Sequence, residues 1–232
     1  MERVDMKGVF IYPFKDEKEL IAFAEKEKKI LIAINAEKVI LATEQTRTII
    51  RDNIGYCDGA GPVRVLRRKG YDVKRMPGAD LWLKIIEKLY PEGKTFYLVG
   101  GKQEVIEETV IKLRHQFPGL KISGYRDGYI KDEAEREALI RDVEEKKPDV
   151  VFCAMGSPAQ ELLMGEMCQK HRAIYQGLGG SFDVYSGHVK RAPKWFQDHN
   201  LEWAYRIMTN PLRLPRLINC INFFIQMELR KL

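Results

Sequence analysis

The chain has 232 residues, 45% of them hydrophobic and 31% charged, so it can bury a sizeable core and intrinsic disorder is excluded. The net charge of +6 is concentrated near the C terminus, where eight Lys and Arg residues stand against three Asp and Glu residues from His188 onward. Such a basic segment suits a nucleic acid, an anionic membrane or a phosphorylated ligand.

The chain begins with charged residues between Met1 and Gly8, where a signal peptide would need an apolar core. No stretch reaches the roughly 18 apolar residues that a membrane-spanning helix requires. The four cysteines are far apart and form no CxxC pair, which excludes a disulfide framework and suits a reducing cytosol. We therefore expect a cytoplasmic protein that is neither secreted nor transmembrane.

Apolar runs typical of buried strands alternate with helical patterns along most of the chain. This alternation predicts an α/β fold with a Rossmann-like parallel sheet flanked by helices, whose ligands bind beyond the carboxyl ends of the strands. The predicted strands are Ile30–Asn35, Thr95–Gly100, Lys121–Gly124, Asp149–Ala154 and Ala173–Leu178, and the predicted helices include Gln103–Gln116 and Asp132–Lys146.

The composition changes near Trp195, where aromatic residues begin to interleave with arginines. Pro211 and Pro215 should break this segment into two or three short helices with aromatic faces. We interpret residues 1–194 as an α/β core and residues 195–232 as a helical, basic and aromatic C-terminal appendage. Exposed aromatic residues would also favour a homo-oligomer, and we expect the appendage to be hinged because its aromatic face lacks a partner.

Glycine-rich turns follow three of the predicted strands. Gly100 and Gly101 lead into a helical pattern and would let backbone amides approach a phosphate, although a plain turn explains them equally well. Gly156 and Ser157 precede the next helix, with Ser157 as its candidate N-cap. Capping does not explain Gln160, whose amide could bind a sugar hydroxyl or a phosphate oxygen.

The third turn contains Gly179, Gly180, Ser181 and Asp183, which suits the close approach of a nucleotide with the carboxylate on ribose hydroxyls. Asp58 lies in another turn, where the Asp-Gly pair favours a purely structural interpretation. A carboxylate there is nonetheless the group that an acceptor hydroxyl needs as a general base.

Metal-dependent chemistry has no support in the sequence. The four histidines have no metal-ligand spacing, and the DxD pair typical of metal-dependent nucleotide-sugar transferases is absent. We predict that the protein binds no metal.

Several ordered blocks together resemble the WecG/TagA/CpsF family of glycosyltransferases over nearly the whole chain. The run Gly187–Lys194, followed by Leu201-Glu202-Trp203, is especially specific. The other blocks are Ala33–Lys38, Asp58-Gly59, Gly78–Trp82, Val99–Lys102, Asp127–Tyr129, Ala154–Glu161 and Gly179–Val184.

The resemblance implies an inverting, metal-independent transferase that needs no cofactor and uses a UDP-sugar donor. Its acceptor would be a sugar on undecaprenyl diphosphate, a polyprenyl-diphosphate carrier, at the inner face of the cytoplasmic membrane. Asp58 would be the base, Gln160 and Asn35 further active-site residues, and Tyr129 a neighbour of the nucleotide. The appendage cations that would close over the diphosphate are Arg206, Arg213 and Arg216.

Within the family, the chain is more similar to the WecG branch, whose donor is UDP-N-acetylmannosaminuronate, than to the teichoic-acid branch, whose donor is UDP-N-acetylmannosamine. Two positions depart from the wider pattern: Ala33 replaces a threonine and Ala159 replaces a lysine. The expected acceptor is N-acetylglucosamine on the lipid carrier, as in enterobacterial common antigen synthesis.

Two rivals remain open from the sequence. The basic aromatic tail and the glycine loops also suit a non-catalytic nucleotide- or nucleic-acid-binding protein. The chain without its tail is near neutral, however, so we expect no nucleic-acid partner. An NAD-dependent oxidoreductase is weaker because the first strand-to-helix turn lacks the required glycine pattern.

Overall fold

A computed structural model describes residues 1–199, 201–209 and 214–229. Its centre is a six-stranded, fully parallel sheet with the strand order β4-β3-β8-β7-β5-β6. A separate antiparallel hairpin is formed by β1 and β2. The strands are β1 Val4–Met6, β2 Val9–Ile11, β3 Ile30–Ile34, β4 Ile54–Cys57, β5 Thr95–Gly100, β6 Lys121–Arg126, β7 Val150–Ala154 and β8 Ile174–Gly177.

Helices flank the sheet on both faces, which confirms the predicted α/β class. Asp16 and Asp132 cap the first and seventh helices by accepting hydrogen bonds from backbone amides three residues later. The helices are α1 Glu17–Glu27, α2 Ala36–Ile40, α3 Glu44–Asp52, α4 Ala60–Arg68, α5 Gly78–Leu89, α6 Gln103–Gln116, α7 Glu133–Lys146, α8 Ala159–Lys170, α9 Ser181–Ser186, α10 Lys194–Asp198, α11 Glu202–Thr209 and α12 Leu214–Glu228.

The central strands are buried on both faces. In β7, Val151 and Cys153 belong to one hydrophobic cluster, whereas Phe152 belongs to the opposite cluster together with Trp82 of α5. Successive side chains of a strand point to opposite faces, so a run with no polar residue is what a doubly covered parallel sheet requires.

The predicted strands and the helix Gln103–Gln116 are present, with boundary changes of at most two residues. The β1–β2 hairpin was not predicted, because each of its strands has only three residues. Its turn uses Lys7 and Gly8, both with positive φ, as a tight two-residue hairpin demands.

The described part of the appendage contains the helices α10, α11 and α12, in agreement with the predicted two or three helices, although Pro215 lies inside α12 instead of ending a helix and Pro211 falls outside the described residues. The expectation that its aromatic face lacks a partner is wrong for Phe223. This ring is fully buried, and Met227 is nearly so, where α12 packs against α2 and α4. A Cβ on Gly61 of α4 would come within 2.8 Å of the Phe223 ring, so a side chain there would displace it. None of the described helices is long and apolar enough to cross a membrane.

Candidate active site

The carboxyl edge of the sheet brings most of the predicted site residues into one row. Following the strand order, this row runs from Asp58 after β4 and Asn35 after β3 to the loops after β8, β7, β5 and β6. Strands lie about 4.8 Å apart, so Asp58 and the β7 loop are separated by roughly 14 Å along the edge. Tyr129 lies in the loop after β6, which folds back over this edge, since a Cβ on Gly128 would lie 3.1 Å from the Gly100 Cα and 3.2 Å from Met155 Cγ.

Asp58 is held at the start of α5. Its Oδ1 accepts a hydrogen bond from the backbone amide of Gly78 at 2.7 Å, and its own amide donates to the carbonyl of Ile34 at 3.0 Å. A Cβ on Gly78 would lie 3.0 Å from the Tyr56 hydroxyl and 3.6 Å from Asp58 Oδ1. The glycine therefore lets the helix terminus approach the carboxylate closely.

The negative charge of Asp58 affects its neighbours on β4. Burial, and then the charge of Asp58, raise the pKa of Tyr56 far above its ordinary value. The same two causes, in the same order, raise the pKa of the Cys57 thiol to about 12. Both groups therefore stay neutral at physiological pH, and neither competes with Asp58 for the role of base.

A chain of hydrogen bonds and ion pairs connects Asp58 to the appendage. Arg75 donates from Nε to the carbonyl oxygen of Asp58 at 2.9 Å and from Nη2 to Glu202 Oε2 at 3.2 Å. Glu202 Oε1 accepts from Arg191 Nε at 3.2 Å. Arg191 also makes a two-pronged contact with Asp80, at 2.5 and 2.8 Å, and this contact is the main reason that the pKa of Arg191 is raised.

Sequence reasoning missed Arg75, Asp80, Arg191 and Glu202 as site residues. Asp80, Arg191 and Glu202 lie inside blocks that carried the family resemblance, and Arg75 lies three residues before such a block. The signal that could have identified these residues is that they are charged and lie in or beside the blocks of the resemblance, although the predicted chemistry gave them no role.

Asn35 is the N-cap of α2, with Oδ1 accepting from the Lys38 amide at 2.9 Å. A Cβ on Gly59 would lie 3.0 Å from the Asn35 Cβ, so the turn that carries Asp58 packs directly on Asn35. The structure thus brings two of the three predicted catalytic residues together. A direct catalytic role for Asn35 stays a prediction.

Gln160 is buried, with 5% of its surface exposed. Its Oε1 accepts from the amides of Gly179 at 2.9 Å and Gly156 at 3.2 Å, and its Nε2 donates to Glu161 Oε1 at 3.3 Å. The side chain therefore ties the β7 loop to the β8 loop. Its contact with a substrate stays a prediction.

Glu161 forms a second internal contact at this edge. Its Oε1 accepts from Lys38 Nζ at 2.6 Å, while the buried Oε2 has no partner. Since Lys38 lies in the first turn of α2 and Glu161 in the first turn of α8, this pair joins the segments that follow β3 and β7, near Asn35 and Gln160.

The expected N-cap role of Ser157 is wrong. Helix α8 starts at Ala159 with Pro158 in the cap position, and no side chain caps it. Gly156 has a positive φ of 80°, which explains why glycine is required there.

The Gly100-Gly101 turn is packed against the β7 loop. A Cβ on Gly100 would meet the Ala154 carbonyl oxygen at 2.3 Å. The Gly101 amide donates to that same oxygen at 3.1 Å, and the Gly101 carbonyl accepts from the Gly128 amide at 2.9 Å. The turn therefore serves loop packing, and phosphate binding by this segment stays a prediction.

In the β8 turn, Gly179 has a positive φ of 59°, and the Ser181 hydroxyl donates to the Leu178 carbonyl at 2.7 Å. The Asp183 carboxylate lies near Gly180, 3.7 Å from a Cβ built there. Tyr129, in the loop after β6, is 63% exposed. Nucleotide contacts by these residues stay predictions.

The appendage arginines can be followed only in part. Arg206 lies in α11 and Arg216 in α12, whereas Arg213 falls outside the described residues. Beside α4 there is a groove of about 790 Å³ with five cationic side chains. They are Arg64, Arg67, Arg68, Lys74 and Arg75.

Among residues 1–199, 201–209 and 214–229, no three His, Cys, Asp or Glu side chains cluster in a way that could hold a metal ion. The prediction that the reaction needs no metal remains to be tested by experiment.

Comparison with known protein families gives one finding. The family model described as "Glycosyl transferase WecG/TagA/CpsF family" matches residues 14–232. The matched span includes the whole carboxyl edge of the sheet and all three helices of the appendage.

Proposed function

The chain belongs to the WecG/TagA/CpsF family of glycosyltransferases, and we propose that it transfers N-acetylmannosaminuronic acid from UDP to N-acetylglucosamine on undecaprenyl diphosphate. The product would be a lipid-linked intermediate of a surface polysaccharide of the enterobacterial common antigen type. The observation that carries this proposal is the carboxylate of Asp58, which is fixed by the Gly78 amide at the carboxyl edge of the sheet. Ligands of parallel α/β sheets bind at that edge.

In the proposed reaction, Asp58 removes the proton from the acceptor hydroxyl as the hydroxyl oxygen attacks the anomeric carbon of the donor. The new glycosidic bond forms on the face opposite UDP, and the bond between the anomeric carbon and the diphosphate oxygen breaks. UDP leaves with the electron pair, so the configuration is inverted. The Gly78 hydrogen bond restricts rotation of the carboxylate, which is what a positioned general base requires.

The leaving UDP gathers negative charge that the protein must stabilise. We propose that the appendage residues Arg206, Arg213 and Arg216 contribute to this, together with backbone amides of the β5, β7 and β8 loops. Guanidinium groups suit diphosphate because they can donate two parallel hydrogen bonds. Four of the five cations in the groove beside α4 already pair with carboxylates, so the groove contributes little further positive charge for the diphosphate of the acceptor.

UDP-N-acetylmannosamine, which differs from the proposed donor at C6, is the alternative donor. Ala33 lies in β3, in register with Tyr56 and two positions before Asn35. Ala159 is the first residue of α8 and is exposed. Neither supplies a polar group to the edge, so the choice rests on the resemblance to the WecG branch. Measuring transfer from both UDP-sugars side by side decides between them.

We propose that residues 1–194 form the α/β core of the enzyme, and that residues 195–232 contribute membrane contact as well as cations to the active site. One face of α12 carries exposed apolar side chains, and Leu229, the residue after the helix, extends this stripe. The stripe is Leu214, Ile218, Ile221, Ile225 and Leu229. Exposed apolar residues at this helical spacing suit peripheral binding to the inner face of the cytoplasmic membrane, or association with a second copy of the chain. Sedimentation with anionic vesicles, compared between the native chain and Ile221→Ser/Ile225→Ser, tests this contact.

A non-catalytic nucleotide- or nucleic-acid-binding role is favoured only by the groove beside α4. Transfer of labelled sugar to a lipid-diphosphate acceptor separates the two functions, since a binding module produces no labelled lipid.

The decisive variant is Asp58→Asn, which keeps the size of the side chain and removes its basicity. We expect turnover to fall roughly 10²–10⁴-fold while UDP affinity stays near that of the native chain. An Asp58→Asn protein with more than about a tenth of native turnover would remove Asp58 from the role of base.

A further inference from the structure

The carboxylate of Glu202 lies at the junction between the appendage and the core. Only 9% of this residue is exposed, although it is the first residue of α11. Its two oxygens contact different arginines, Arg75 through Oε2 and Arg191 through Oε1, each at 3.2 Å. A nearly buried carboxylate shared by two cations is costly to desolvate unless both contacts are kept, so its position is strongly specified.

Both contacts of Glu202 continue to Asp58. On one side, Arg75 donates to the Asp58 carbonyl oxygen at 2.9 Å. On the other side, Arg191 donates to both carboxylate oxygens of Asp80 in the first turn of α5. The first residue of α5 is Gly78, whose amide donates to the Asp58 carboxylate. Glu202 therefore contacts two arginines: one binds the backbone of Asp58, and the other binds the helix whose first amide holds the Asp58 carboxylate.

We propose that Glu202 is a positioning residue, which couples the docking of α11 to the orientation of Asp58. This inference rests on the proposed role of Asp58 as the base. Glu202 acts through Arg75 and Arg191 and does not itself touch the reacting atoms. Deprotonation of the acceptor by Asp58 therefore requires the docked appendage, although Asp58 itself belongs to the core.

The test compares Glu202→Gln with Glu166→Gln in the full-length chain. Glu166 makes a two-pronged contact with Arg136, at 2.7 and 2.5 Å, between α8 and α7, and serves as the matched control. Transfer from UDP-N-acetylmannosaminuronate to polyprenyl-diphosphate-linked N-acetylglucosamine is followed across pH. We expect Glu202→Gln to lower kcat at least about tenfold with donor KM nearly unchanged, and Glu166→Gln to change kcat less than about twofold.

The pH profile provides a readout that a loss of folded protein does not change. In Glu202→Gln the negative charge that partly neutralises Arg75 and Arg191 is gone. The two arginines then favour the ionised form of the Asp58 carboxylate more strongly. The acid limb of kcat should therefore shift to lower pH in Glu202→Gln. In Glu202→Asp the charge remains but the shorter side chain cannot span both arginines, so kcat should fall without a shift of the limb.

A double-mutant cycle with Asp58→Asn decides the mechanism. If Glu202 acts through Asp58, adding Glu202→Gln to Asp58→Asn should lower transfer less than about twofold further. Multiplicative losses, or a Glu202→Gln protein with native kcat, would overturn the proposal. If Glu202→Gln does not fold, the same cycle with Glu202→Asp gives the answer. A native rate in Asp58→Asn alone would instead refute the proposed base, so the two failures are distinguishable.

Discussion

Replacing Gln160 by methionine is the sharpest test of how the site's loops are held. Methionine keeps roughly the same volume but cannot accept the hydrogen bonds that Oε1 takes from the Gly156 and Gly179 amides. The variant therefore removes these two hydrogen bonds, together with the weaker donation from Nε2 to Glu161, without creating a cavity.

The expected loss follows from the geometry. A buried donor that loses its acceptor costs about 1–3 kcal/mol. Gly156 and Gly179 are partly exposed, so water can replace some of what is lost and each amide should contribute near the lower end of that range. We expect Gln160→Met to lower the free energy of unfolding by about 2–3 kcal/mol.

The assay is urea unfolding at neutral pH, combined with calorimetric titration of UDP. Gln103→Met is the control, because Gln103 is exposed on α6 and its Nε2 contacts only the neighbouring Glu107; its effect should stay within about 0.5 kcal/mol. A Gln160→Met protein as stable as the native chain but with weakened UDP binding would refute the loop-tying role. It would support the direct substrate contact predicted from sequence.

We expect three further experimental outcomes. Phe223→Ala should destabilise the chain by about 3–5 kcal/mol in urea, because the ring is fully buried against α4; a change below about 1 kcal/mol would mean that α12 is not docked in solution. The Asp149 carboxylate accepts hydrogen bonds from the Thr95 amide, the Thr95 hydroxyl and Lys94. Burial alone would raise the pKa of Asp149, but these contacts outweigh it and lower the pKa below 3.8. Its stabilisation should therefore be present above that pH and disappear as the pH falls through the lowered value, so the stabilities of the native chain and Asp149→Asn should converge in acid. Transfer should persist in EDTA; loss of activity that magnesium or manganese restores would contradict the metal-independent reaction.

The described appendage also revises one expectation about truncation. A sequence-based interpretation predicts that removing residues after about Leu201 leaves a stable core. Helix α12, however, covers α2 and α4 with Phe223 and Met227. We therefore expect such a truncated chain to expose apolar surface and to lose stability as well as transfer.

The sequence by itself determined the elements of the sheet and their class. Short, unbroken apolar runs such as Val150–Ala154 suit strands covered on both faces, and parallel strands bring the loops that follow them to one edge. Asp58, Asn35 and Gln160 could therefore be placed at that edge before the fold was known. The resemblance carried by the ordered blocks also predicted the family.

Only the tertiary structure decided what these side chains contact. Gln160 lies in the first turn of α8, beside a loop whose pattern suits a ligand contact, yet its amide oxygen accepts hydrogen bonds from two backbone amides of different loops. Arg75 and Glu202 are 127 positions apart, and no local pattern relates two charges at that separation. Hydrophobic periodicity is a local property that every residue of an element shares, whereas a hydrogen bond or an ion pair depends on where the chain folding brings two particular atoms together.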